Sequence, residues 1–167
     1  NFNRFDANGP KELLDINSSN VFDYTENVNA LYVNYNRQFK GFMIQVGLRG
    51  ENTNSNGVSS SEVAPDSTVK RSYTDLFPSA AITFNKNPMS QWNFTFSRRI
   101  DRPNYSNLNP FRFALNDYTY QQGNPYLRPQ YTNSFGITHT FKYKLNTTLN
   151  YSHIKDMFAQ ILDTTEA

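Results

Sequence analysis

Ser97–Tyr131 reads SRRIDRPNYSNLNPFRFALNDYTYQQGNPYLRPQY. A strand runs into it: in Trp92-Asn93-Phe94-Thr95-Phe96-Ser97 large apolar residues alternate with small polar ones at period two. A strand also leaves it, with Tyr131, Phe135, Ile137 and Phe141 on one parity. Between them Arg102-Pro103, Asn109-Pro110, Asn124-Pro125 and Arg128-Pro129 push each preceding residue out of the helical region and remove four backbone donors. Neither a helix nor a central strand is expected there, and a connection this long is usually functional or disordered. The aromatics from Tyr105 to Tyr126 argue for order.

Outward from that stretch, the alternation recurs. Leu31, Val33, Tyr35 and Phe39 share the odd parity of a strand over Asn27–Phe39. Lys40-Gly41 makes a tight turn, after which Phe42, Ile44, Val46 and Leu48 alternate with Gln45, Gly47 and Arg49. Residues 52–70, rich in Ser and Asn, are expected to form a long loop. A third strand covers Tyr73–Asn85, with an edge or bulge at Pro78. A fourth covers Gln91–Asp101, a fifth Tyr131–Phe141, and a sixth Leu145–Ile161. Residues 1–20 read as a loop, where Asp6-Ala7-Asn8-Gly9 lacks the spacing of a calcium site.

The connections alternate short and long: 40–41, 52–70, 86–90, 102–129 and 142–144. Aromatics gather near the strand ends. The expected fold class is therefore all-β, an antiparallel up-and-down meander of about six strands belonging to an outer-membrane barrel. Its short turns lie at one end, its long loops at the other, and its polar parity faces a wet lumen. A secreted lectin-like β-sandwich is the alternative, with the same aromatics buried or binding ligand.

Composition agrees and excludes. Twenty-three Asn residues, an aromatic fraction of 16% and a mean hydropathy of −0.71 suit a sheet with one greasy and one wet surface. No apolar run approaches the roughly 20 residues of a spanning helix. Without Cys there is neither a disulfide framework nor a thiolate site. The net charge of +2 argues for neither nucleic acid nor an anionic membrane surface as a partner.

Candidate chemistry is sparse. His139 and His153 lie on the parity of Phe and Tyr, as ring residues of a membrane interface would. No G-x-S-x-G elbow surrounds any Ser, and no Gly-rich phosphate loop occurs. Neither a metal, nor a cofactor, nor an enzymatic activity is expected. Arg49, Glu51, Arg99 and Asp101 share the lumen parity at strand ends and are expected to form a charge network; a paired-carboxylate site of Glu51 and Asp101 is the other option. Arg98 falls on the greasy parity and is expected to point outward and up, towards lipid phosphates.

SRRIDRP, N-Y-x-x-L-N-P-F and GNPYLRPQY together resemble the barrel of TonB-dependent outer-membrane receptors of the Bacteroidetes type. Phe22-Asp23-Tyr24-Thr25-Glu26, Gly47-Leu48-Arg49-Gly50-Glu51 and Leu76-Phe77-Pro78-Ser79 add to it. The resemblance implies a protein of the bacterial outer membrane that takes up a scarce nutrient, such as a glycan, a peptide or a metal chelate. It also implies about 22 strands around a plug, so residues 1–167 would be one segment of the barrel, without the plug or the other strands. The partners implied are outer-membrane lipid, TonB acting through the plug, and a surface substrate-binding lipoprotein. Open sheet edges would make the isolated segment self-associate. Substrate would meet the long loops, where Tyr105, Phe111, Phe113, Tyr118 and Tyr120 supply flat apolar faces, unless these rings only pack the loop against itself.

Overall fold

A computed structural model describes residues 5–6, 13–14, 20–61, 64–87, 89–116 and 118–164. Two short strands, Phe5–Asp6 (β1) and Leu13–Leu14 (β2), pair with each other. Six longer ones follow in the order Val21–Phe39 (β3), Phe42–Ser61 (β4), Ala64–Asn87 (β5), Ser90–Asp101 (β6), Gln130–Phe141 (β9) and Leu145–Lys155 (β10). Between β6 and β9 lie a one-turn helix, Tyr105–Leu108 (α1), and two short strands, Arg112–Asn116 (β7) and Thr119–Gln122 (β8). The six long strands make one antiparallel meander, β10-β9-β6-β5-β4-β3, with neighbours in sequence adjacent in the sheet. It is one sheet, and among the described residues no second sheet of comparable size closes a sandwich, so the secreted-sandwich alternative is set aside.

Register sorts the two surfaces. Ile82, Phe94, Ile137 and Leu149 stand side by side across β5, β6, β9 and β10; the next such row is Ala80, Phe96, Phe135 and Tyr151. Ring contacts carry the same face onto β4 and β3, through the tilted pair Phe84–Phe42 at 6.2 Å and the stacked pair Phe42–Phe39 at 4.7 Å. The opposite face is built of Ser79, Ser97, Ser134 and Ser152 in one row and of Thr83, Asn93, Thr138 and Thr148 in another. Cross-strand hydroxyl contacts tie these rows: Ser134–Ser152 at 3.1 Å, Thr138–Thr148 at 3.2 Å. Asn34 and Ser79 reach the same polar side over Gly47. The expected separation into a greasy and a wet face holds across these rows.

What is unusual is where the greasy face ends up. Among the described residues Phe77, Leu108 and Pro103 are the buried apolar side chains, whereas Leu31 is 81% and Leu149 70% exposed. A water-soluble chain cannot leave so continuous an apolar surface uncovered. Hydrocarbon covers it in a barrel wall, which turns its polar parity to the lumen.

The three short connections close one end of the meander. Gly41 has φ +89, a left-handed conformation that leaves a side chain strained. Lys142 and Tyr143 both adopt positive φ, 51 and 56, the conformation of the two-residue turn that matches strand twist. These turns are tied to their neighbours: Asn85 N–H donates to Gly41 O at 2.9 Å and Lys142 N–H to Met89 O at 2.7 Å.

Several expectations are corrected. Residues 52–70 are not a loop: β4 runs to Ser61 and β5 starts at Ala64. With 20 and 24 residues these strands have about twice the length that crosses a bilayer. Their outer halves are polar on both faces, so hydrophobic alternation gives no signal although the backbones still pair. At Pro78 the expected edge is present on one side: the β5–β6 register ends at Ser79↔Ser97, one residue away, so the missing donor breaks no bond of that pair. The only irregularity registered in that pair lies instead between Phe84 and Asn87, beside the turn. The sixth strand stops at Lys155, where Asp156 takes φ 56. In the long connection, α1 and the β7–β8 hairpin form despite the prolines, which fall between these elements. Of residues 1–20, β1 and β2 are short strands; the Ala7–Gly9 part of the motif lies outside the described residues.

Candidate functional site

Two compact units divide the chain. One comprises Asn1–Asn29, Asn52–Tyr73 and Pro103–Leu127; the other comprises Ala30–Glu51, Thr74–Arg102 and Arg128–Ala167.

The first unit is organised by its asparagines. Asn104 caps α1, its Oδ1 accepting from Asn107 N–H at 3.0 Å. The freed carbonyls of Asn107 and Asn109 then take the amides of Asn124 (2.7 Å) and Gly123 (2.9 Å). Asn109 Oδ1 accepts from Phe111 N–H at 3.1 Å and from the buried Asn20 side chain at 3.2 Å. Asn124 Oδ1 holds Tyr126 N–H at 2.9 Å in an Asx turn. Arg71 on β5 closes the assembly by donating to the carbonyls of Pro125, at 2.6 Å, and Leu127. The NYSNLNP and GNPYL segments are thus the two halves of one stitched loop. At the seam only glycine fits: a Cβ on Gly123 would stand 2.5 Å from Asn107 O and 2.6 Å from Asn109 O.

A shallow, open cleft lies beside this loop. Phe22 and Tyr24 from β3, Leu108, Pro110 and Pro125 form its apolar walls; Ser55, Ser59, Ser67 and Arg71 supply polar groups. The Phe22 and Tyr24 rings are stacked at 6.4 Å. Burial pushes the Tyr24 phenol up from its ordinary pKa, with a hydrogen bond to Ser55 opposing, so it stays a neutral O–H group. Sequence reasoning had passed over Phe22 and Tyr24 as site residues, although their spacing of two puts both rings on one side of a strand.

The loop aromatics are placed separately. Tyr105 opens α1 and is exposed, Phe111 is half-buried, and Tyr118 stands at the hairpin tip, 96% exposed. Phe113 pairs with Gln121 and Ala114 with Tyr120, which puts Phe113 and Tyr120 on opposite faces of the hairpin. Arg112 lies 4.9 Å from the Tyr120 ring. The five aromatics therefore do not make one continuous platform.

In the second unit the expected charge network forms with different members. Glu51 is buried and holds two guanidiniums, Arg49 Nε at 3.2 Å and Arg102 Nη2 at 2.7 Å. Arg49 also covers the buried Phe77 ring at 5.0 Å. Arg99 and Asp101 are exposed and form no ion pair among the described residues, so the network does not join all four expected members. Arg102 takes the place expected of Arg99. It lies just past β6, where strand parity no longer fixes direction.

Arg98 forms a second cluster. Its guanidinium stacks on Tyr131 at 5.1 Å and reaches Asp75 at 4.0 Å, while Tyr131 O–H donates to Asp75 at 2.6 Å. The expected partner is corrected, because Asp75 of β5 and not a lipid phosphate stands beside the guanidinium, while the register keeps Arg98 on the parity of Phe96 and Ile100. The β6–β9 register is unbroken here, so no bulge in that pair redirects it; β6 parts from the β5 register at Ser97. His139 stacks on Trp92 at 4.1 Å and bonds Ser90 Oγ at 2.9 Å, the packing of an interface ring. Among the described residues no group of three or more His, Asp or Glu could hold a metal ion.

No curated protein and no solved structure matches the chain. A family model does, over residues 1–167, in accord with a meander whose apolar face is turned outward in the bacterial outer membrane: the chain belongs to the outer membrane protein beta-barrel family.

Proposed function

We propose that residues 1–167 are a wall segment of a TonB-dependent outer-membrane receptor that takes up a scarce nutrient, a glycan, a peptide or a metal chelate. The observation that carries this reading is the stitched loop of Pro103–Leu127, built by the very segments that resemble such receptors, which leaves Tyr105, Phe113, Tyr118 and Tyr120 at the surface. Flat rings held by a braced backbone suit sugar rings and aromatic chelators, because little ordering remains to be done on binding. Six strands are fewer than the eight of the smallest bacterial barrels, so further strands complete the wall in this reading. TonB would act through a plug outside these residues, and a surface lipoprotein would deliver the substrate. Glu51 with Arg49 and Arg102 would brace the lumen wall. None of this requires a catalytic group.

The test is uptake by cells carrying the full-length receptor, over a panel of glycans, peptides and metal chelates, with and without an uncoupler. Uptake that stops with the uncoupler while surface binding persists is expected. Replacing Tyr118 and Tyr120 by Ala should weaken surface binding by about tenfold, in line with the loss of aromatic anchors. Entry that continues unchanged without the proton gradient would rule out the energised receptor and leave a passive pore.

A further inference from the structure

The net charge of +2 conceals a segregation. None of the 14 acidic residues falls within residues 27–50, 76–100 or 118–155, the spans that contain all three short turns. Those turns lie at one end of the meander, because they join β3 to β4, β5 to β6 and β9 to β10 in alternate antiparallel connections. Each carries lysine: Lys40 in the first, Lys86 at the second, Lys142 and Lys144 at the third. All four are exposed, and none forms an ion pair among the described residues. They are held in a row by the backbone bonds that tie Asn85 to Gly41 and Lys142 to Met89.

Directly beside this row runs a belt of rings. Phe39 precedes Lys40 and Phe141 precedes Lys142, so each of these lysines leaves the backbone about 3.3 Å from a ring-bearing residue of the belt. Aromatic girdles of outer-membrane barrels mark the boundary of the hydrocarbon, which puts the lysines at the depth of the headgroups. Lys142 Nζ lies 5.2 Å from the Phe141 ring, so the turn presents the cation against the belt.

We propose that the short-turn rim is a docking surface for the anionic phospholipid headgroups of the leaflet it faces, with Lys40, Lys86, Lys142 and Lys144 each meeting a phosphate. A lysine is a compact point charge on a long stem and suits a mobile phosphate better than a fixed carboxylate. No acidic residue lies in the parts of the strands that adjoin these turns, residues 27–50, 76–100 and 118–155, so no carboxylate close along the sheet competes for it. Four cations in one row attract an anionic surface cooperatively and lose that attraction as salt shortens the screening length. The surface is independent of the transport reading and would serve any barrel built on this sheet.

The full-length protein, reconstituted in phosphatidylethanolamine vesicles with and without phosphatidylglycerol, provides the test. Spin-labelled phosphatidylglycerol and phosphatidylethanolamine report which lipid the barrel surface selects. The wild type should prefer phosphatidylglycerol by about threefold or more at about 0.05 M salt and lose the preference at about 0.5 M. The variant Lys40→Gln/Lys86→Gln/Lys142→Gln/Lys144→Gln should show no preference at either salt. The double variants Lys40→Gln/Lys86→Gln and Lys142→Gln/Lys144→Gln should each lose part of it, which covers a failure of the quadruple variant to fold. Inorganic phosphate should compete no better than chloride at equal ionic strength. An unchanged preference in folded variants would overturn the proposal, and specific competition by phosphate would replace the lipid surface with a free-anion site.

Discussion

Gly123→Ala is the substitution that most directly probes the stitched loop. The new Cβ would meet two backbone oxygens at 2.5 and 2.6 Å, well inside ordinary contact, and neither atom belongs to a side chain that could swing away. Relief requires the segment at residues 123–124 to move off the segment at residues 107–109, which lengthens the bonds from Gly123 N–H and Asn124 N–H. Overpacking of this kind costs about 1–3 kcal/mol, and each weakened backbone bond about 0.5–1.5 kcal/mol. A net loss of about 2–4 kcal/mol in the stability of the loop is expected, because the two costs overlap. In hydrogen exchange of the full-length protein, protection of the amides of Asn107, Gly123 and Asn124 should fall about 30- to 1,000-fold. Exchange in β6, β9 and β10 should stay as in the wild type. Gly57→Ala is the control: its Cβ would meet the Phe22 and Tyr24 rings at 3.5–3.6 Å, an ordinary contact, and should leave the loop unchanged. Equal protection of residues 107 and 123–124 in wild type, Gly57→Ala and Gly123→Ala would refute the close approach on which the loop is argued to depend.

Three further outcomes are expected. Lys142→Asn combined with Tyr143→Gly should raise the unfolding temperature of the intact barrel, since each non-glycine left-handed residue costs roughly 1–2 kcal/mol; no gain in urea-gradient unfolding would count against that turn geometry. Glu51→Ala should cost about 1–3 kcal/mol by leaving Arg49 and Arg102 without their anion, the value reduced because both arginines are partly solvated, whereas Arg99→Ala should stay within about 0.5 kcal/mol; the reverse ranking in denaturant midpoints would restore Arg99 to the network. Asp75→Ala should be more destabilising than Asp75→Asn, because the amide oxygen still accepts from Tyr131 O–H; identical melting of the two variants would show that this bond contributes nothing.

How far the sequence could be read follows from what holds a side chain in direction. Period two is a property of a paired backbone, so it located all six long strands, and the row Ile82–Phe94–Ile137–Leu149 lies where alternation puts it. It was silent over residues 52–61 and 64–72, where Ser, Asn and Thr occupy both faces and pairing rests on the backbone alone. The stitched loop was equally hidden. Its strongest contacts use the carbonyls of Asn107 and Asn109, which carry no side-chain signature; only Gly123 and the Asn-Pro pair after it marked the place.

The charged clusters were misassigned for the complementary reason. Glu51 and Arg49 sit within β4, and their pairing followed from parity. Arg102 follows the last residue of β6, and the β5–β6 register has ended at Ser97 before Arg98 is reached. Past the strand end Arg102 is directed by the partners within reach rather than by alternation, whereas Arg98 keeps its parity through β9 and gains partners from beside it. For Arg102 the partner within reach is the carboxylate of Glu51; for Arg98 it is the Tyr131 ring and Asp75. Burying a carboxylate requires paired donors, and two guanidiniums supply them for Glu51 where water in the lumen would otherwise have to. The same logic separates the rim lysines from these arginines. Where a carboxylate lies within reach, as for Arg102 and Arg98, the cation pairs with it, and at the tight turns, with no acid in the adjoining residues 27–50, 76–100 and 118–155, the cation is left for an anion outside the sheet.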